Sequence, residues 1–256
     1  MGVAILRRKM FVVFNRSSEV HVYHADSIEM HLETVFIPDM EWPQQIVACA
    51  TTEKLFVADM QKSQAGCVWR LSADGDFDRH LPNSQDPEPL WPRSVAVSDG
   101  RLLVVSFPNI LLLYAVGGRR LRKVELPRDM EVQHAVATDH NTFLVALSRA
   151  ENTLVLLREV DLHGNDVRHC PVEFILPIHF VRYPVGPCCR YQGHVVVADS
   201  EDNRVILLDD RLNFKHFLLH GDQVSRPRRL LLPPEADKGQ LHVCGSSYVS
   251  LWKWLD

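Results

Sequence analysis

Apolar runs of about five residues, each centred on valine, recur along the whole chain and are separated by polar, turn-forming stretches. They are Met10–Phe14, Leu55–Asp59, Leu102–Ser106, Phe143–Leu147, Val195–Asp199 and Leu241–Gly245. The central valines stand at 12, 57, 104, 145, 197 and 243, which gives steps of 45, 47, 41, 52 and 46 residues. A short unbroken run of this kind reads as a strand covered on both faces. A second strand precedes each run and often opens on proline: Pro43–Ala48, Pro92–Val97, Pro177–Val181 and Pro227–Leu232, with Val132–Ala137 as a copy that lacks it. Proline is tolerated there because the N–H it removes lies ahead of the ladder.

A third strand follows each run, as in Glu19–Tyr23, Cys67–Leu71, Ile110–Tyr114, Leu154–Leu157, Val205–Leu208 and Tyr248–Trp252. Turn dipeptides then lead to an amphipathic fourth strand: Asp74-Gly75, Gly117-Gly118, His163-Gly164 and Asp209-Asp210. Four short strands per unit at this period predict an all-β fold, a six-bladed β-propeller of four-stranded antiparallel blades forming one domain over 1–256. The blades fall at 1–38, 43–82, 92–127, 132–172, 177–219 and 227–256. Val3–Leu6 precedes Val12 by the offset that separates Val95–Val97 from Val104, so it is the inner strand of the first blade. The last blade is then left with three strands and no outermost one.

Ala198-Asp199-Ser200-Glu201-Asp202-Asn203-Arg204-Val205 resembles the signature of NHL repeats, in which an aspartate ends one strand and Asn-Arg opens the next. Leu55–Asp59 followed by Cys67–Arg70 is a looser copy. The resemblance is to the broad NHL-repeat and gluconolactonase-like superfamily of six-bladed propellers. It implies three functions: a non-catalytic protein-interaction scaffold, a face that holds single-stranded RNA, or a metal-dependent hydrolase. Asp59 and Asp199 are expected to accept hydrogen bonds from turn amides or from an arginine such as Arg204.

Composition narrows these readings. The net charge of −4 shows no global bias toward nucleic acid or a membrane surface. Six cysteines without CxxC spacing fit neither a zinc site nor a disulfide framework. The apolar stretch Val3–Leu6 is too short for a signal peptide or a membrane span, so a cytoplasmic or nuclear monomer is expected, with no cofactor.

The second residue after each recurring proline forms an aligned slot facing the central channel: Gly2, Gln45, Ser94, His134, His179 and Arg229. Such a polar ring is a candidate channel-mouth binding site for a small anion or a partner's side chain. It carries no Asp, Glu or Asn, which argues against the carboxylate-and-amide metal site of the gluconolactonase-like hydrolases. No catalytic or metal-ligating set is assigned, because two neutral imidazoles alone make a poor metal site. A candidate partner surface comprises Arg182, Tyr183 and Tyr191 in the long excursion 182–193, with Arg226, Arg228, Trp252 and Trp254. Arg93, Arg182, Arg226, Arg228 and Arg229, with Trp42 and Trp91 for stacking, would serve an RNA-binding face. The repeat-related tryptophans also read as packing between blades, and Arg7-Arg8-Lys9 and Arg119–Lys123 as solvated turn and edge charges.

Overall fold

The structure, a computed structural model, describes residues 2–25, 27–61, 65–84, 86–107, 109–138, 141–149, 152–171, 189–191, 194–200, 202–209, 211, 213–227, 229–231, 240–245 and 249–253. Twenty-three strands lie among the described residues, and the chain divides into two compact units, Met1–Glu125 and Leu126–Asp256.

The first unit holds three four-stranded antiparallel sheets. The first sheet is β1 (Gly2–Leu6), β2 (Lys9–Val13), β3 (Glu19–His24) and β4 (Ser27–Phe36). The second is β5 (Pro43–Cys49), β6 (Lys54–Asp59), β7 (Cys67–Ser72) and β8 (Phe77–Leu81). The third is β9 (Pro92–Ser98), β10 (Arg101–Ser106), β11 (Ile110–Ala115) and β12 (Arg120–Glu125). Each is a meander in chain order, and the inner strands β1, β5 and β9 lie side by side.

The second unit holds β13 (Met130–Ala137), β14 (Thr142–Arg149), β15 (Asn152–Asp161) and β16 (Asp166–Pro171) as one sheet. The next is β17 (Cys189–Tyr191), β18 (His194–Asp199), β19 (Arg204–Leu208) and β20 (Phe214–His220). The last is a three-stranded sheet of β21 (Arg229–Leu231), β22 (Gln240–Cys244) and β23 (Val249–Lys253). Among the described residues the structure therefore shows five four-stranded blades and one three-stranded sheet, not six blades.

The valine runs are the second strands, and their burial explains their composition. Val12, Val57, Val104, Val145 and Val243 are buried. Val197 is half-buried, and Val195 and Val196 take the core positions instead. One apolar cluster joins the first and second sheets through Phe11, Ile46, Val57 and Trp69. Another joins the second and third through Phe56, Leu81, Val104 and Tyr114. In the second unit Val196 and Ala198 pack with Leu241, Val243 and Trp252. Burying each such side chain contributes about 1.5–3 kcal/mol. The outer strands carry their protection in sequence: β12 (RLRKVE) is mostly exposed and charged.

One boundary differs from the sequence reading. The strand paired with β18 on the inner side of the fifth sheet is Cys189–Tyr191, with Cys189↔Val196 and Tyr191↔His194; Pro177–Val181, the stretch read as that strand, lies outside the described residues. The excursion read over 182–193 thus contains a strand. Tyr191 pairs with His194 at the same sequence separation as Ser98 with Arg101 in the third blade.

Candidate functional site

The slot alignment can be followed in the strand register. Gly2 stands opposite Val13, Gln45 opposite Ala58, Ser94 opposite Val105 and His134 opposite Ala146. In β5, β9 and β13 the residue just before the slot is an extra, bulged residue: Gln44, Arg93 and Gln133. A bulge at the same repeat position re-aims the following side chain, so the slot is a built feature of the blade.

The slot residues of the first unit meet one another. A Cβ on Gly2 would stand 2.9 Å from the Gln45 Cα and 2.8 Å from the Ile46 nitrogen, so only glycine allows β1 to approach β5 this closely. The Ser94 hydroxyl donates a hydrogen bond to Gln45 Oε1, which also accepts the Val95 N–H at 3.3 Å. Gln45, Ser94 and His134 are all buried. Arg229 begins β21 opposite Cys244, and His179 lies outside the described residues.

The aspartates at the ends of the second strands act as hubs. Asp59 is fully buried and accepts the Trp42 N–H at 2.7 Å, the Glu41 N–H at 3.2 Å and the Trp69 indole N–H at 3.1 Å. Ser106 plays the same part in the third blade, where its Oγ accepts the Trp91 N–H at 3.0 Å. Asp199 Oδ2 receives Arg204 Nε at 3.0 Å and Nη2 at 2.6 Å. Cys67, beside Asp59, has its thiol pushed up to about 12 by burial and then by that carboxylate, so it stays neutral. Among the described residues no group of three or more His, Cys, Asp or Glu side chains is placed to hold a metal ion.

The rim outside the slot is different. Trp91 and Phe107 are 42% and 41% exposed, and the Phe107 N–H donates to the Trp91 carbonyl at 3.0 Å. The Arg93 guanidinium stands 4.8 Å over the Phe107 ring, and Arg16 stands 5.9 Å over Trp42. Such pairs are worth about 0.5–1 kcal/mol at exposed sites. Trp91 thus keeps an open face at the repeat position where Trp42 is half-buried.

The remaining candidates separate. Arg226 is exposed, with φ of +44°, and its N–H donates to Asn203 Oδ1 at 2.7 Å. Trp252 is half-buried against the cluster between the fifth and sixth sheets, whereas Tyr191 ends β17. Arg182, Tyr183, Arg228 and Trp254 lie outside the described residues. The basic clusters are paired, not merely solvated: Arg7 with Glu53, Lys9 with Glu33 at 3.0 Å, and Arg120 and Lys123 with Glu88.

No known family's sequence profile and no curated protein sequence matches the chain. Solved structures do. The WD40 β-propeller domain of Doa1 superimposes with a TM-score of 0.66 at 15% identity, over 98% of this chain and 77% of that one. Virginiamycin B lyase from Staphylococcus aureus gives 0.68 at 11%, over 95% and 76%. A chain of the nidogen/laminin complex gives 0.65 at 14%, over 90% and 82%. At these identities the likeness shows the fold alone. The chain is a β-propeller with four-stranded antiparallel blades. Among its described residues no helix is long and apolar enough to cross a membrane.

Proposed function

We propose that this propeller is a non-catalytic scaffold for protein–protein interaction, with the three-stranded C-terminal sheet as a sixth, NHL-like blade. The observation that carries the reading is the use made of the polar slot. Gln45 and Ser94 are buried and bonded to each other, so these positions hold neighbouring blades together and do not open toward a ligand. Recognition then falls to the rim and to the connecting loops, which a rigid array of blades holds in place. That a WD40 domain and a chain of the nidogen/laminin complex share the fold is consistent with this use.

Single-stranded RNA binding is the second reading, favoured by exposed Trp91 and Phe107 with Arg93 beside them. The metal-dependent hydrolase has least support, since the slot offers no carboxylate.

Affinity capture with the intact chain, a chain shortened over 183–187, which spares the inner strand Cys189–Tyr191, and an Arg93→Glu variant separates the readings. The scaffold reading expects a protein partner lost on shortening 183–187 or on changing the rim. RNA recovered in a salt-sensitive manner, and lost with Arg93→Glu, would replace it.

A further inference from the structure

Val20 and Val22 turn one face of β3 into the core between the first and second blades, and the alternate residues His21 and Tyr23 occupy the other face. On that face His21 stands opposite Thr34 of β4, and Tyr23 opposite His31. In a regular strand the odd spacing from His31 to Thr34 would put their side chains on opposite faces. Leu32 is an extra residue in β4, and this bulge returns His31 to the face of His21 and Thr34. A straight ladder would set Leu32 against Tyr23 instead. The bulged leucine is left 44% exposed, so the strand forgoes burial of a leucine and presents an imidazole in its place.

The polar atoms on this face converge. His21 Nε2 lies 3.2 Å from Glu19 Oε2, and His21 Nδ1 lies 3.4 Å from Thr34 Oγ1. His31 Nε2 lies 3.0 Å from the same hydroxyl oxygen. An ionised carboxylate only accepts, so Glu19 keeps the proton of a neutral His21 on Nε2 and leaves Nδ1 as a lone pair. Both rings are also braced by aromatic neighbours. Phe14 meets His21 at 5.4 Å and 80° between planes, and Tyr23 meets His31 at 5.3 Å and 74°.

We propose that His21 Nδ1 and His31 Nε2 form a two-histidine site for a divalent transition-metal ion such as Zn²⁺, with Glu19 as the carboxylate that orients His21. With Zn–N bonds of about 2.1 Å, two imidazole ring centres on one tetrahedral ion stand about 5 Å apart. The two rings here are 5.9 Å apart, so a small side-chain rotation at the half-buried and exposed positions brings them to the ion. Two imidazoles alone hold such an ion poorly. The carboxylate behind His21 fixes its tautomer and raises its basicity, which is what the pair otherwise lacks. The single proton of Thr34 can serve only one of the two nitrogens at a time, so its hydroxyl yields its place to the ion. Water completes the shell, and the site is independent of the scaffold reading.

The test is calorimetric titration of the metal-free intact chain with zinc chloride near pH 7.5, where both imidazoles are neutral. One site with a Kd of about 1–100 μM is expected. Glu19→Gln should weaken it about tenfold and His31→Asn by at least about tenfold. His216→Asn, a change at an exposed histidine of β20, should leave it unaltered. Nitrogen NMR of the imidazoles should show zinc on Nδ1 of His21 and on Nε2 of His31. Absence of binding, an affinity unchanged in His31→Asn or Glu19→Gln, or an equal loss in His216→Asn would overturn the proposal.

Discussion

Arg204 and Asp199 form a buried ion pair in which Nε and Nη2 both donate to one carboxylate oxygen. Both side chains are less than a tenth exposed, and the guanidinium also lies 5.3 Å over the Phe217 ring. Removing Arg204 strands the Asp199 carboxylate in the interior, whereas removing Asp199 leaves Arg204 its second carboxylate, Asp202. Arg204→Ala is therefore expected to cost about 3–5 kcal/mol in urea unfolding, and Asp199→Ala less. The double replacement Asp199→Leu with Arg204→Met should recover most of that loss. A double variant as unstable as the sum of the two singles would show that the pair is not the source of the effect.

Gly118 and Gly117 make a matched comparison in one turn. Gly118 has φ of +95°, and a Cβ there would stand 2.7 Å from Asn83 Nδ2 and 3.3 Å from His80 Cε1. Asn83 cannot yield freely, because that nitrogen donates to the Gly118 carbonyl at 3.0 Å and thereby clasps the second blade to the third. Gly118→Ala is expected to destabilise the protein by about 1–3 kcal/mol. Gly117, which faces open space, should accept alanine with a change within about 0.5 kcal/mol. Equal melting temperatures for the two variants would refute the clasp.

Two buried histidines set an acid dependence. Burial, then the neighbouring Arg70, lowers the pKa of His80 from its ordinary 6.5, and burial lowers that of His242. His80 Nε2 and His242 Nδ1 have no hydrogen-bond partner among the described residues. The unfolded chain takes up these protons near pH 6.5 while the folded chain resists them. The stability contribution is therefore complete above 6.5 and is lost as pH falls from there through the lowered folded pKa. Each histidine adds at most about 1.4 kcal/mol per pH unit to the slope. His80→Leu and His242→Leu, followed by urea midpoints between roughly pH 7.5 and pH 5, should each flatten the decline. An unchanged slope would remove that histidine from the acid response.

The blade array could be read from the sequence because the second strand is covered on both faces, which demands an unbroken apolar run such as Leu102–Val105. The slot could be aligned because the proline opening fixes a register, as Ser94↔Val105 and Gln45↔Ala58 display. What Gln45 bonds to was not legible, since its partner lies 49 residues away on another blade. The strand Cys189-Arg190-Tyr191 that pairs with β18 is hard to see in sequence, because Pro177-Ile178-His179-Phe180-Val181 carries more β-forming residues. The open face of Trp91 was hidden for a related reason. Trp42 and Trp91 hold the same repeat position and the same backbone bonds, and they differ in exposure.

The central claim is that the inner slot joins blades and is not a ligand site. A double-mutant cycle on Gln45→Ala and Ser94→Ala, read by urea unfolding alongside partner binding, tests it most directly. The account expects each single change to cost about 1–3 kcal/mol, a coupling of about 1 kcal/mol between the two sites, and binding unaltered. Near-neutral stability in both variants together with lost binding would contradict it.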